Sequence, residues 1–127
     1  MNRYVLDASA LLALIQNEPG ANVVEDVISS GWISTVNLSE VITKLTDDGI
    51  AEDDLREVIE GLQVNSVPFS LDQAYVAGLM RADTKMLGLS FGDRACLSLA
   101  KQLDTAAVTT DRIWTRLSIG VEIQLIR

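Results

Sequence analysis

Tyr4-Val5-Leu6-Asp7-Ala8-Ser9-Ala10-Leu11-Leu12-Ala13-Leu14-Ile15 is the stretch that decides the fold. A short apolar run ends on a carboxylate, a hydroxyl follows two residues later, and a longer apolar run comes after it. The first run suits a strand, Ser9 suits a helix N-cap, and Ala10 to Ile15 suits a buried helix. The stretch therefore predicts a strand passing directly into a helix, with Asp7 at the junction.

The same alternation continues outward from that unit. Pro19-Gly20 breaks the first helix, and Val23, Val24, Val27 and Ile28 have the spacing of a second helix ending at Gly31. Trp32 to Val36 alternates as a strand. Asn37-Leu38-Ser39-Glu40 has capping-box spacing before a stripe of Leu38, Val41, Ile42 and Leu45, which predicts a helix with Glu40 in its first turn. Leu55, Val58, Ile59 and Leu62 line an amphipathic helix, and Val64 to Phe69, with Pro68, suits a short edge strand. Ser70 to Gln73 repeats the capping-box spacing ahead of a helix with Ala74, Tyr75, Leu79, Ala82 and Met86 on one side. Ser90-Phe91-Gly92-Asp93 opens another, with Phe91, Ala95, Leu99 and Leu103 inward. Thr105 to Thr109 is a small-residue strand, Ile113-Trp114 a helical turn, and Val121 to Ile126 a closing strand.

Strands alternating with helices predict an α/β fold, a central mostly parallel sheet flanked by helices on both faces. The 127 residues suit a single domain, 1–127, with no internal repeat or linker. In open sheets of this kind ligands bind beyond the carboxyl ends of the strands, at the switch point in strand order. Asp7 and Asp111 fall at or just past strand ends, and Glu40 and Asp93 in the first turns of helices that follow loops. All four acids thus belong at one rim.

Carboxylates about 4 Å apart repel by roughly 4 kcal/mol per pair at an effective dielectric near 20, so a cluster needs protons or a cation between its members. Ligands that are all oxygen point to Mg²⁺ or Mn²⁺. Each acid also suits a structural role. Asp7 and Asp111 are placed to cap the turns that follow them, Asp93 lies at the positive end of a helix, and Glu40 completes a capping box. The joint pattern distinguishes the site from its members.

Composition narrows the chemistry further. The chain has no histidine, which removes Ser-His-Asp and Cys-His catalysis, the paired-histidine ribonuclease mechanism and histidine-ligated zinc. Its one cysteine, Cys96, reads as a small core residue and forms no internal disulfide or thiolate zinc site. No signal-peptide pattern or apolar run of about 18 residues is present, so a cytoplasmic protein without a membrane span is expected. The net charge of −8 opposes general affinity for polyanions. Between Arg81 and Arg116, however, six basic residues face four acidic ones, while seven acids and only Arg56 lie between Asp47 and Glu60. Arg94, Arg112 and Arg116 are candidate phosphate contacts beside the acids. No basic recognition helix for duplex DNA is visible. A phosphoacceptor receiver domain would need an acidic neighbour for Asp7, and a haloacid-dehalogenase-like phosphatase an Asp where Ser9 stands.

Asp7-Ala8-Ser9-Ala10 after a strand, Ser39-Glu40-Val41, Leu89 to Ala100 and Val108-Thr109-Thr110-Asp111-Arg112-Ile113-Trp114 together resemble a PIN-domain nuclease, more narrowly a VapC-type toxin of a bacterial toxin-antitoxin pair. The resemblance spans essentially the whole chain, and its third and fourth motifs are the specific ones. It implies a Mg²⁺- or Mn²⁺-dependent endoribonuclease whose acidic ligands are Asp7, Glu40, Asp93 and Asp111, with Ser9 and Thr109 as adjacent hydroxyls. It also implies a homodimer neutralised by a VapB-type antitoxin, through which any DNA contact would come. The apolar helices around Leu11 to Ile15 and Val23 to Ile28 suit either an antitoxin surface or ordinary core packing. The alternative is a catalytically inactive RNA- or protein-binding module of the same fold, with a structural cation.

Overall fold

A computed structural model describes residues 3–127. Its strands β1 (Tyr4–Leu6), β2 (Gly31–Ser34), β3 (Asn65–Val67), β4 (Ala106–Thr109) and β5 (Ile123–Leu125) form one sheet in the order β3-β2-β1-β4-β5. Every pairing is parallel, with Tyr4 beside Gly31 on one side and Ala106 on the other. The expected α/β architecture is therefore present. The helices are α1 (Ala8–Ile15), α2 (Ala21–Val27), α3 (Thr35–Asp47), α4 (Glu52–Leu62), α5 (Leu71–Leu79), α6 (Arg81–Thr84) and α7 (Phe91–Leu103).

Because successive side chains of a strand point to opposite faces, each central strand feeds two cores. Leu6, Ile33 and Val108 pack with Ala10, Leu11, Val24, Val41, Leu45 and Leu55 of α1 to α4. Val5 and Ala107 pack on the other face with Met80, Leu97, Leu99 and Ala100, closed by Trp114. The chain starts in the middle of the sheet, builds β2 and β3 to one side, then crosses to β4 and β5 on the other. That reversal leaves the crevice of the switch point between the carboxyl ends of β1 and β4.

Several boundaries differ from the sequence expectation. β2 ends at Ser34, and Thr35-Val36, expected to continue the strand, open α3 instead. Ser34 is the cap, its hydroxyl accepting from the Val36 N–H at 3.2 Å. Local capping outweighs the strand preference of two β-branched residues. Asn37 is consequently inside α3, and Glu40 falls in its second turn rather than its first. Likewise α1 begins at Ala8 with Asp7 as its N-cap, so Ser9 is not the cap.

The expected helix from Leu71 to Met86 is broken near Met80 into α5, α6 and a 3-10 turn over Lys85–Leu87. Its inward line is Gln73, Ala77, Met80 and Thr84, while Tyr75, Leu79 and Met86 lie 66%, 74% and 93% exposed. Polar anchors explain the inversion. Gln73 Nε2 donates to Gln102 Oε1 at 2.8 Å, and Arg94 Nη1 donates to the Ala77 carbonyl at 2.9 Å, both across α5 and α7. Phe91, expected inward, is half exposed and meets Phe69 edge-on.

Gly20 fixes the entry to α2. Its φ is +96°, and a Cβ there would lie 2.6 Å from the Ile126 carbonyl oxygen. Both backbone conformation and close approach demand glycine. Gly20→Ala is expected to lower stability by about 1 to 3 kcal/mol, read as a lower urea midpoint with an unchanged m value. An unchanged midpoint would contradict this account.

Candidate active site

Asp7 is the floor of the site. It directly follows β1, its N–H donates to the Val108 carbonyl of β4 at 2.9 Å, and its own carbonyl accepts from Ala10 and Leu11 at the start of α1. Only 6% exposed, its carboxylate is held through Oδ2, which accepts from Ser9 Oγ at 2.8 Å and Thr109 Oγ1 at 2.9 Å. The two hydroxyl oxygens lie 3.4 Å apart. Ser9 Oγ accepts from the Thr110 N–H and Thr109 Oγ1 from the Asp111 N–H, so both hydroxyls tie β1, α1 and the end of β4 together.

The other three acids act on this one through charge: Asp93 and Glu40 reach Asp7, and Asp111 reaches Asp93. Asp93, partly buried, opens α7 in a true capping box: the Ser90 N–H donates to Asp93 Oδ2 at 2.9 Å, and the Asp93 N–H donates to Ser90 Oγ at 3.2 Å. Asp111 is exposed and caps the 3-10 turn Arg112–Arg116 by accepting from the Ile113 N–H through Oδ1. Glu40 is exposed on α3, and its Oε1 accepts from Asn37 Nδ2 at 2.8 Å. Asn37 also donates to the carbonyl of Gly92, the residue before Asp93. Sequence reasoning paired Asn37 with Glu40 as a cap and missed this contact. Its signal was a polar residue heading the buried line Asn37, Val41, Leu45.

A pattern emerges from these bonds. Among the described residues each acid has one oxygen engaged by a protein donor: Asp7 Oδ2, Glu40 Oε1, Asp93 Oδ2 and Asp111 Oδ1. Among those residues the remaining oxygens have no protein donor. Electrostatics couples the four groups. Burial pushes the Asp7 carboxyl up to about 6, against the pull of the Ser9 and Thr109 hydroxyls, with the charges of Asp93 and Glu40 adding to the rise. Burial also raises Asp93, opposed by its hydrogen bonds with Ser90, with Asp111 pushing it up and Arg94 drawing it down. Cys96 is wholly buried, and burial with the charges of Asp7, Asp93 and Glu40 pushes its thiol well above the usual range. It remains a neutral core residue.

The basic candidates separate. Arg94 is committed to α5, bonded to the Ala77 carbonyl with its guanidinium 6.0 Å from the Phe91 ring centroid. Arg112 and Arg116 are exposed and outside the ion pairs formed among the described residues.

The PIN domain family matches residues 4–120. The chain belongs to the PIN-domain family. Comparison with curated proteins gave no match. Among solved structures, the PIN domain is similar to a chain of DNA-bound VapBC from Salmonella typhimurium, with 22% identity, both chains fully covered and a TM-score of 0.79. It is similar to a chain of a toxin-antitoxin complex from Klebsiella pneumoniae, with 17% identity, 98% of each chain covered and a TM-score of 0.78. VapBC-5 from Mycobacterium tuberculosis gives 18% identity, coverage of 100% of this chain and 99% of that one, and a TM-score of 0.65.

The donor set of this PIN domain is entirely hard oxygen, and the raised Asp7 carboxyl is the strain that a nearby cation relieves. These properties fit a divalent cation. Among the described residues no three His, Cys, Asp or Glu side chains gather closely enough to hold one as they stand. Binding would therefore require the carboxylates to close on the ion, with the exposed Asp111 side chain able to turn while Glu40 stays held by Asn37.

The Asp7 shift has a definite sign. Its folded value of about 6 exceeds the ordinary 3.8, so the folded state holds the proton more tightly. The folded state is therefore penalised progressively as pH rises from about 4 to 6, by roughly 3 kcal/mol in full. In chelator, Asp7→Asn is expected to melt higher than wild type by roughly 5 °C or more at pH 7 to 8, the gap closing towards pH 4. A gap independent of pH would refute the assignment.

Proposed function

We propose that this PIN domain is a divalent-metal-dependent endoribonuclease, the VapC-type toxin of a toxin-antitoxin pair. One observation carries the reading: Asp7 is buried at the switch point under Ser9 and Thr109, where the charges of Asp93 and Glu40 reach it and that of Asp111 reaches Asp93, so acids from four separate elements share one electrostatic neighbourhood. Capping alone would explain Asp93 and Asp111 but not a carboxylate buried under Ser9 and Thr109.

In this mechanism Asp7, Asp93 and Asp111 would hold Mg²⁺ or Mn²⁺, and Glu40 would complete the ligand set or orient the attacking water. When bound, the cation neutralises charge at the scissile phosphate and makes water a better nucleophile at neutral pH. Ser9 and Thr109 keep Asp7 in one orientation by donating to the same oxygen. Glu40, exposed but steadied by Asn37, is free to accept a proton from the attacking water. Arg112 and Arg116 meet flanking phosphates of the RNA. With no histidine to activate a ribose hydroxyl, water is the nucleophile, leaving 5′-phosphate and 3′-hydroxyl ends.

Two apolar surfaces support the partners. A groove of about 580 Å³ between α3 and α4 is lined by Leu38, Ile42, Ile50, Leu55 and Ile59 and edged by Glu60 and the Glu52–Arg56 ion pair, suiting an apolar antitoxin segment. The early helices contribute less, because Ala10, Leu11, Ala13 and Val24 are buried in the core. Leu71, Tyr75 and Leu79, spaced four apart on α5 and 66 to 74% exposed, suit a second copy of the chain. DNA would be contacted only by the antitoxin. The cytoplasm is the proposed compartment, and no helix among the described residues is long and apolar enough to cross a membrane.

Asp93→Asn should reduce RNA cleavage at least about 100-fold with the fold retained, because Asn preserves the cap. Excess EDTA should abolish wild-type cleavage, and sequencing should find 5′-phosphate ends. Full activity in EDTA, or cyclic-phosphate ends, would refute the reading; cation binding without cleavage would leave the inactive module. Tyr75→Arg with Leu79→Arg should convert a dimer to a monomer in sedimentation, whereas an unchanged dimer would place the interface elsewhere.

A further inference from the structure

Asn37 and Gly92 are each a poor local choice. Asn37 is fully buried at the head of the core-facing line of α3, and its Oδ1 has no partner among the described residues. An apolar side chain there would avoid burying an unpaired acceptor. Gly92 lies in the first turn of α7, where alanine is the better helix former, and its φ is not in the left-handed region.

Both choices converge on one carboxylate. Asn37 Nδ2 places its donors on Glu40 Oε1 at 2.8 Å and on the Gly92 carbonyl at 2.9 Å, joining α3 to α7. Rotating the amide by half a turn would set Oδ1 against both acceptor oxygens, so its orientation is determined. The Glu40 carboxylate in turn lies on the bare Cα of Gly92: a Cβ would come within 2.6 Å of both Oε1 and Cδ and overlap Oε2. The next residue is Asp93.

Resting on the metal-nuclease reading, we infer that Asn37 and Gly92 are a positioning pair that fixes Glu40 against the turn carrying Asp93 and so sets cation affinity. Neither touches the reacting atoms. Asn37 supplies the tether and Gly92 the space, and loss of either lets the two acids drift apart or forces them out of line.

The test is Mn²⁺ affinity of the full chain, read from free-ion electron paramagnetic resonance, for wild type, Asn37→Leu, Gly92→Ala and the double variant. Each single variant is expected to bind Mn²⁺ at least about tenfold more weakly, the usual effect of losing a partner that orients a ligand. Because both act on one carboxylate, the double variant should fall short of the product of the two losses. The Mn²⁺ needed for half-maximal cleavage should rise in parallel, while KM for RNA at saturating Mn²⁺ stays unchanged. Circular dichroism and urea unfolding check the fold, and Gly92→Ala carries the test alone if Asn37→Leu does not fold. Variants within about twofold of wild-type affinity would overturn the pair as positioning residues and leave the nuclease reading standing. A wild type that binds no Mn²⁺ would overturn both, so the two failures are distinguishable.

Discussion

A carboxylate buried at the end of the central strand is the constraint on which the site is built. Asp7 is locked through its backbone before its side chain does anything: its N–H extends the ladder to Val108, and its carbonyl receives the first N–H groups of α1. With the main chain so committed, the carboxylate can only point into the crevice between β1 and β4. Water is largely excluded there, and the Ser9 and Thr109 hydroxyls offset only part of the cost of the charge. A fold that retains such a group favours a proton or a cation at that point.

The roles of the other acids follow from the same economy of atoms. Capping and ligation look like rival explanations of Asp93 and Asp111 when only side-chain type and spacing are considered. A carboxylate has two oxygens, however, and the caps of α7 and of the Arg112–Arg116 turn use one apiece. Capping then serves as orientation: the bond from the Ser90 N–H limits how Asp93 can turn. Structural and chemical roles are compatible because they fall on different atoms.

Legibility of the sequence tracked how locally each feature is determined. The strand-to-helix unit at Asp7, the Ser90–Asp93 capping box and the small-residue strand Ala106–Thr109 depend on neighbours within a few residues, and all three were readable. Thr35-Val36 misled because β-branched side chains suggested a strand, whereas the Ser34 hydroxyl stops it. The face of α5 misled for a different reason. Apolarity pointed to Tyr75, Leu79 and Met86, but the inward face was chosen by Gln73 and Ala77, whose partners Gln102 and Arg94 lie on another helix. Long-range polar pairing leaves no periodic trace. Asn37 is the mixed case, since its spacing to Glu40 was visible but its second acceptor, the Gly92 carbonyl, lies 55 residues away.

The uneven charge of the chain becomes an unevenness across the sheet. The stretch from Arg81 to Arg116 builds α6, α7, β4 and the following turn, and Leu97, Leu99 and Trp114 place it in the core on one face. The acid-rich segment from Asp47 to Glu60 belongs to α3 and α4, and Leu45 and Leu55 place it in the core on the other. Arg94 is spent on α5, so the cationic contribution at the rim falls to Arg112 and Arg116, on the turn that Asp111 caps. A polyanion repelled by the net charge of −8 would meet its least unfavourable approach over that turn, while a basic segment would be drawn to α4. At a Debye length near 8 Å in physiological salt, these fields act over side-chain distances and not across the whole domain. The two sides of one small sheet therefore carry opposite local charge balances on a chain that is acidic overall.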